Sequence, residues 1–207
     1  MKDYSKKILD LDQKLIKTDQ FYSYIKLLLD SFPYDIKKIT CIKYELVFEI
    51  KSESLSLLSK FLLKHSSCQF EQLVDVTAVD YPEKINRFQV VYNFLSVRYN
   101  YRIRLKVETN EETALASLCD VYLSANWLER EVWDMFGIYF VNHYDLRRIL
   151  TDYGFEGFPL RKDFPLTGYV ELRYDEKEKR IVYEPVELTQ EYRYFEFTSP
   201  WDQTKSI

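Results

Sequence analysis

The chain has 207 residues, of which 46% are hydrophobic and 30% charged, and its formal net charge is -4 at pH 7. A chain of this length and apolar content buries one ordinary core and has residues left for an appendage. Acids and bases are interleaved, so no clustered positive field is available to neutralise a phosphate backbone, and a nucleic-acid partner is disfavoured.

Membrane insertion and import signals are also disfavoured. No apolar run approaches the roughly 20 residues that a membrane-spanning helix needs, since even residues 27–29 are flanked by charged groups. Transit peptides are rich in arginine, whereas the first arginine here is Arg87. The cysteines Cys41, Cys68 and Cys119 lie far apart, which favours buried thiols in a reducing compartment.

The predicted elements begin with an amphipathic helix over residues 5–29, which ends before Pro33. The hydrophobic period changes to two over residues 42–50, which predicts a half-buried strand. A second amphipathic helix is predicted over residues 52–64, with Ser52 as its N-cap.

Three strands are predicted next, over residues 73–79, 88–97 and 101–107. Residues 99–100 form the turn between the last two. Helices resume from about residue 111, and the second of them ends at Phe136 with Gly137 as its C-terminal cap. This order predicts an α+β fold, a two-layer domain with helices packed on a mostly antiparallel sheet, as in ferredoxin-like folds.

The composition changes near residue 137, because every glycine lies between Gly137 and Gly168 and four of the six prolines lie from Pro159 onward. We therefore assign residues 1–137 to the α+β domain and residues 138–207 to a long extended C-terminal arm. The arm is too aromatic for a solvated tail. Ordering its backbone costs roughly 1–2 kcal/mol per residue, so we expect it to dock on partner subunits, where its aromatic residues are buried.

A dense charge cluster, Glu129-Arg130-Glu131 with Asp134, lies on the last predicted helix, where Arg130 and Asp134 are in i,i+4 register. Paired carboxylates beside an arginine suit acid–base chemistry. They also suit an ion-paired helix end at an interface. We favour the interface, because no nucleophile accompanies the cluster.

His143 lies two residues before Asp145, an arrangement that suits a proton relay or a metal ligand. The other histidine, His65, has no second ligand at metal spacing, and an iron–sulfur cluster normally needs four cysteines. No glycine precedes Gly137, so the chain has neither a dinucleotide fingerprint nor a P-loop. We therefore expect structural hydrogen bonding here, and no catalytic, cofactor-binding or metal-binding residue.

Two basic groups, Arg147-Arg148 and Arg161-Lys162 before Asp163, lie in a segment interrupted by glycine and proline. An irregular backbone presents such side chains in several directions. Arginine pairs with carboxylates through two hydrogen bonds, so we predict that these groups bind carboxylates of a neighbouring subunit. A solvated loop is the alternative.

Linked blocks in the second half of the chain carry a family resemblance. They read WLEREVWDMFGI (127–138), DLRRIL (145–150), DYGFEG (152–157) and PLRKDFP (159–165), with His143 between the first two. The arrangement resembles the 30 kDa subunit of respiratory complex I, called NADH dehydrogenase subunit 9 where mitochondrial DNA encodes it. Two positions depart from the family: Tyr144 replaces a usual proline and Phe158 a common histidine. Both departures weaken a ligand or shuttle role for a histidine.

The resemblance implies a non-catalytic core subunit in the peripheral, quinone-reducing arm of the proton-pumping NADH:ubiquinone oxidoreductase. Such a subunit supports electron transfer from NADH to ubiquinone by scaffolding the adjacent 49 kDa subunit, and it has no activity in isolation. FMN and iron–sulfur clusters are expected in neighbouring subunits. The partner-interface or fold-locking charges are then Glu129, Arg130, Glu131, Asp134, His143, Asp145, Arg147, Arg148, Arg161, Lys162 and Asp163.

The lack of a visible presequence, together with a bias towards Lys, Ile, Leu, Tyr and Phe, favours a mitochondrially encoded chain on the matrix side of the inner membrane. Two alternatives stay open. One is the equivalent subunit of a related membrane-bound hydrogenase, because the family includes such subunits. The other is a stand-alone acid–base enzyme that uses Glu129, Glu131 and His143.

Overall fold

The computed structural model describes residues 19–42, 45–191 and 193–195. Its contacts divide into two compact units, one ending at Phe164 and one beginning at Pro165. The described helices are α1 (Asp19–Ser31), α2 (Leu55–Lys64) and α3 (Ala125–Phe136). The described strands are β1 (Ile36–Ile42), β2 (Glu45–Ile50), β3 (Gln72–Asp80), β4 (Phe88–Ser96), β5 (Tyr101–Thr109), β6 (Leu115–Ala116), β7 (Phe140–Val141), β8 (Val170–Asp175) and β9 (Arg180–Pro185).

The main sheet has the strand order β1-β2-β5-β4-β3, in which only the β2–β5 pairing is parallel among the described strands. Side chains alternate along it, so that in β5 Ile103 and Leu105 are buried while Arg102 is exposed. The apolar faces of α1 and α2, with Leu28 and Leu58, share one core with these inward-facing residues. The predicted α+β class with a mostly antiparallel sheet is therefore confirmed.

The first half of the chain departs from the predicted elements in two places, at β1 and at Ser52. α1 ends before Pro33 as predicted, while residues 5–18 of the predicted helix lie outside the described residues. β1 was not predicted, because a bulge between Ile36 and Lys38 breaks its period of two. Ser52 does not cap α2: it begins a 3-10 turn, and α2 follows from Leu55.

The helix predicted from residue 111 is replaced by a turn and the short strand β6. The side-chain Oδ1 of Asn110 accepts hydrogen bonds from the backbone N–H groups of Glu112 and Thr113, at 3.1 and 2.6 Å. Such local bonds compete with the first turn of a helix. Leu115 then pairs with Phe140 of β7 in a parallel bridge, so tertiary pairing overrides the local helical pattern.

Helix α3 ends as the sequence predicts. Gly137 has φ of 76°, and its N–H donates to the carbonyl of Trp133 at 2.9 Å. This left-handed conformation favours glycine. Among the described residues, no helix combines the length and apolar character that crossing a bilayer would require.

The compact unit continues well beyond residue 137, where the sequence analysis places the domain boundary. The N–H of Leu160 donates to the carbonyl of Met135 at 3.1 Å, and that of Lys162 donates to the Asp80 carboxylate at 2.8 Å. These bonds attach residues 138–164 to α3 and to the main sheet, so the first unit ends at Phe164. Beyond it, the described part of the second unit contains the antiparallel hairpin β8–β9.

Candidate functional site

Asp134 lies on the buried face of α3, and its carboxylate fixes the loop that follows β7. Its Oδ2 accepts hydrogen bonds from the backbone N–H groups of Ile149, Leu150 and Thr151, at 3.1, 2.7 and 2.9 Å. Its Oδ1 accepts from the Thr151 hydroxyl at 2.6 Å and from Arg148 at 2.9 Å. Successive backbone amides that converge on one oxygen form an anion-binding nest, so this carboxylate sets the conformation of the loop.

The lowered pKa of Asp134 predicts that the free energy of unfolding decreases in acid. Burial raises this pKa, but the hydrogen bonds from Thr151, Leu150 and Ile149 outweigh burial and lower it from 3.8 to about 2. A carboxylate with a depressed pKa contributes stability above its unfolded-state pKa and loses that contribution as the pH falls towards its folded-state pKa. We therefore expect Asp134 to account for a fall of about 2 kcal/mol in the free energy of unfolding between pH 5 and pH 2.

Urea unfolding at a series of pH values measures this effect, with the Asp134→Asn variant as the comparison. Other carboxylates titrate in both proteins, so the difference between the two curves isolates Asp134. The difference should shrink as the pH falls from 4 to 2. Parallel curves over that range would contradict the assignment.

Arg148 extends the Asp134 network to a second loop. Its Nη2 donates to the carbonyl of Gly157 at 2.8 Å, and its guanidinium lies 5.1 Å from the centroid of the Phe158 ring. The i,i+4 register of Arg130 and Asp134 does not produce a pair, because Asp134 pairs with Arg148 instead. Arg148 thus binds a carboxylate of its own chain, which is a fold-locking role.

Arg130 is buried on α3 and bonds to backbone carbonyls. Its Nε donates to the carbonyl of Arg147 and its Nη2 to that of Arg148, both at 3.1 Å. Only 8% of the residue is exposed. One guanidinium thereby binds two consecutive carbonyls and holds the loop after β7 against α3.

A second carboxylate, that of Asp80, joins the β3–β4 connection to the end of the first unit. Arg87 donates to it through Nε at 2.7 Å and Nη2 at 2.8 Å, a two-pronged pair, and the backbone N–H of Lys162 donates to it at 2.8 Å. Arg87 also lies 3.0 Å from the Asp163 carboxylate. The hydrogen bonds from Arg87 lower the pKa of Asp80 and of Asp163, and those two carboxylates raise the pKa of Arg87.

Arg161 links this second network to α3. Its Nε donates to the carbonyl of Phe136 at 2.7 Å, and its Nη1 donates to Glu111 at 3.0 Å. Its guanidinium lies 4.4 Å from the Phe158 ring centroid and 5.1 Å from that of Phe88. Cation–π contacts on both rings fix the side chain over the end of the helix.

Glu129 forms a third network, in which it is fully buried. Its carboxylate accepts hydrogen bonds from the Ser117 hydroxyl at 2.6 Å and the Leu118 N–H at 2.7 Å, and the Cys119 thiol lies 3.6 Å from it. Burial raises the pKa of Glu129, and burial also raises the pKa of Cys119, to about 11. His143 approaches from the other side, with Nε2 3.1 Å from the carbonyl of residue 126.

Cys119, Glu129 and His143 are the described side chains best placed to hold a metal, since their ligand atoms lie within 4.8 Å of one another. Thiolate, carboxylate and imidazole are zinc ligands. Yet His143 Nδ1 accepts from the N–H of Asp145, so the ring proton sits on Nε2, facing a carbonyl. A metal would have to displace both this proton and the thiol proton, and the geometry therefore favours a hydrogen-bonded cluster.

The remaining predicted site residues lie at the surface. Glu131 and Lys162 are exposed, and Arg147 pairs with Asp145 at 3.1 Å with most of its side chain in solvent. An exposed pair of this kind contributes little to stability. These groups are available to a partner, unlike the buried carboxylates.

Sequence reasoning missed several members of the networks, namely Asp80, Arg87, Glu111, Ser117 and Cys119. Asp80 and Arg87 lie at the two ends of the connection between two predicted strands. If those strands pair as a hairpin, the opposite charges come close together, so the sequence did contain a signal for this salt bridge. No local signal marks Ser117 and Cys119. They meet Glu129 only because β6 pairs with β7.

These features define an α+β protein whose buried carboxylates and arginines hold loops in place. A family model, the 30 kDa subunit of respiratory-chain NADH dehydrogenase, matches residues 48–170. NADH-ubiquinone oxidoreductase subunit 9 of Reclinomonas americana is 57% identical over 176 residues, which cover 85% of this chain and 86% of that protein. A subunit of the NADH-quinone oxidoreductase of Ruegeria pomeroyi is 61% identical over 158 residues, covering 76% of this chain and 79% of that protein. The chain belongs to the family of the 30 kDa subunit of respiratory-chain NADH dehydrogenase.

One solved structure agrees with this assignment, and a second shares the fold. A trypsin-resistant fragment of Nqo5 superimposes with a TM-score of 0.52 at 26% identity, covering 61% of this chain and 99% of the fragment. A chain of an archaeal membrane-bound sulfane sulfur reductase superimposes with a TM-score of 0.61 at 23% identity, covering 79% of this chain and all of that chain. The second likeness shows a shared fold alone.

Proposed function

We propose that this chain is a non-catalytic core subunit of the peripheral, quinone-reducing arm of proton-pumping NADH:ubiquinone oxidoreductase. The observation that carries the proposal is the 57% identity, along 85% of the chain, to a subunit of NADH-ubiquinone oxidoreductase. In this role the chain scaffolds the adjacent 49 kDa subunit on the matrix side of the mitochondrial inner membrane. FMN and iron–sulfur clusters reside in neighbouring subunits.

The arrangement of the acidic residues supports a non-catalytic role. Glu129 is buried and already accepts hydrogen bonds, whereas Glu131 is exposed two residues later on the same helix. Residues two apart on a helix point about 200° apart, so the two carboxylates do not share a cleft. A stand-alone acid–base enzyme would need them to converge with His143 on one substrate.

The β8–β9 hairpin supports docking on a partner. Its register places three apolar pairs on one face: Val170 with Pro185, Leu172 with Tyr183, and Tyr174 with Ile181. These side chains alternate with a polar face that carries the salt bridge between Arg173 and Glu184. The apolar face is exposed in the isolated chain, with 54% of Leu172 accessible. Exposed apolar patches of this kind mark surfaces that other subunits cover.

Purification through an affinity tag on this chain, after gentle detergent extraction, tests the proposal. We expect the chain to elute in a large membrane complex that catalyses NADH:quinone reduction, because the relatives named above belong to that class of enzyme. Size analysis and an NADH:quinone assay on the same fraction are the measurements. A chain that emerges alone would contradict the proposal, and a complex with hydrogenase activity in place of NADH oxidation would support the hydrogenase alternative.

Two variants of the hairpin sharpen the experiment. Leu172→Ser removes an apolar side chain from the exposed face and should reduce recovery of the complex about four- to tenfold, since Leu172 is 54% exposed and a partner can bury only about half of the roughly 1.5–3 kcal/mol that a whole leucine is worth. Val182→Ser makes a comparable change on the opposite face and serves as the control. Equal recovery of the two variants would mean that the apolar face of the hairpin is not part of the interface.

A further inference from the structure

An arginine-lined cavity of about 510 Å³ opens in the first unit beside α3. Arg130, Arg147 and Arg148 contribute to its wall, together with Asp152 and Tyr153. It is separate from the buried Glu129 network and from the Asp80 network. It adjoins the Asp134 network, because Arg148, Ile149 and Thr151 also line it.

Three arginines and one acid, Asp152, line the cavity, so its wall carries a net positive charge before pairing with other residues is considered. Arg148 is paired with Asp134 at 2.9 Å, and Arg147 with Asp145 at 3.1 Å. Arg130 forms no salt bridge among the described residues, and the hydrogen bonds seen for it use Nε and Nη2 on backbone carbonyls. A nearly buried guanidinium that bonds to neutral oxygens alone is stabilised further by an anion that reaches its remaining donor.

The shape of the guanidinium specifies the anion. The terminal nitrogens of arginine form a planar fork that matches the two oxygens of a carboxylate. Nη1 of Arg130 is left without a hydrogen bond within the described part of the chain, and this residue lines the cavity. A carboxylate that enters the opening would therefore meet an unused donor and a charge lacking a counter-ion.

The rim indicates that the carboxylate belongs to a protein. Tyr153, which lines the cavity, is 98% exposed, and the neighbouring Leu150 is 62% exposed. A buried arginine surrounded by exposed tyrosine and leucine has the composition of an interface hot spot, in which apolar contacts exclude water from a central charged pair. A free anion would gain nothing from such a rim.

We propose that an aspartate or glutamate of a neighbouring subunit enters this cavity and pairs with Arg130. The inference rests on the proposed function, because it requires a permanent partner. It adds the chemistry of the contact, which is one acidic side chain paired with Arg130 in the cavity that Arg147 and Tyr153 also line. Arg130 therefore has two roles: it binds the loop after β7 within this chain, and it pairs with the acidic side chain of the partner.

Carbodiimide coupling in the assembled complex tests the proposal. The reagent joins an amine directly to a carboxylate, without a spacer, and leaves arginine unmodified. The complex is purified through a tag on the chain that carries Arg130→Lys, treated with the reagent, digested and analysed by mass spectrometry. We expect a new cross-link from position 130 to an acidic residue of another subunit, absent from the wild-type complex.

Two further variants keep the test decisive. Arg147→Lys, at the exposed side of the same cavity, replaces Arg130→Lys if that variant fails to assemble, and it should link to the same partner residue. Arg102→Lys, exposed on β5, is the control and should not link to that residue. A link only to Asp152 or another acid of this chain, or no new link in an active complex, would overturn the inference while leaving the proposed function intact. Recovery of the tagged chain alone would overturn both.

Discussion

Replacing Asp134 with asparagine is expected to lower the free energy of unfolding by about 3–5 kcal/mol, the usual cost of breaking a buried charge pair. The carboxylate accepts five hydrogen bonds, three from backbone amides and two from the side chains of Thr151 and Arg148. Asparagine has one oxygen and one NH2 group. In either orientation of the amide, its NH2 group therefore faces donors, and the Arg148 charge loses its counter-ion.

Urea unfolding of the full-length chain at pH 7 measures this loss. Glu131→Gln is the matched control, because it makes the same carboxylate-to-amide change on the same helix at an exposed position. Its effect should stay within about 0.5 kcal/mol. If the two variants unfolded at the same urea concentration, Asp134 would not be the anchor of the loop.

The second large effect is expected for Gly137→Ala, which should lower the free energy of unfolding by about 2–5 kcal/mol. Gly137 has φ of 76°, so any L side chain there is strained. A Cβ would also lie 2.6 Å from the Phe158 ring and 2.7 Å from Nη2 of Arg161. Neither neighbour is free to move, because Arg161 is bonded to the carbonyl of Phe136 and stacked on the same ring.

Gly154→Ala separates the two causes. Gly154 has nearly the same backbone conformation, with φ of 74°, but a Cβ there meets nothing within 4 Å. It should therefore show only the backbone strain, about 1–2 kcal/mol. Thermal and urea unfolding of both variants give the comparison. A Gly137→Ala variant no less stable than Gly154→Ala would mean that Phe158 and Arg161 move aside easily.

The elements with strict periodicity were predictable from the sequence. The alternation in β5 and the apolar stripe of α3 each reflect a local rule, since side chains alternate along a strand and recur every 3.6 residues on a helix. Gly137 was predictable as a cap because glycine adopts the left-handed conformation that ends many helices. The prediction failed at β1, where a bulge interrupts the alternation, and at residues 111–124, where Asn110 and the β6–β7 bridge replace a helix.

The charged residues on α3 and in the loops after β7 were predicted from the sequence, but their partners were not, and Asp80, Arg87 and Glu111 were missed altogether. Asp134 bonds to groups 14 to 17 residues away, and Asp80 to the backbone of Lys162, 82 residues away. Helical register suggested Arg130 for Asp134, whereas the loop after β7 brings Arg148 instead. A linear pattern gives the spacing of side chains within one element, and these pairs depend on how separate elements meet.

The sequence by itself determined the family and the fold class, because both depend on blocks of residue types and on hydrophobic periods that are visible along the chain. Only the tertiary structure decided which charges lock the fold and which face outward. Burial and pairing depend on contacts between distant segments. These contacts bury Glu129, leave Glu131 exposed, and bond Arg130 to backbone carbonyls without a salt bridge among the described residues.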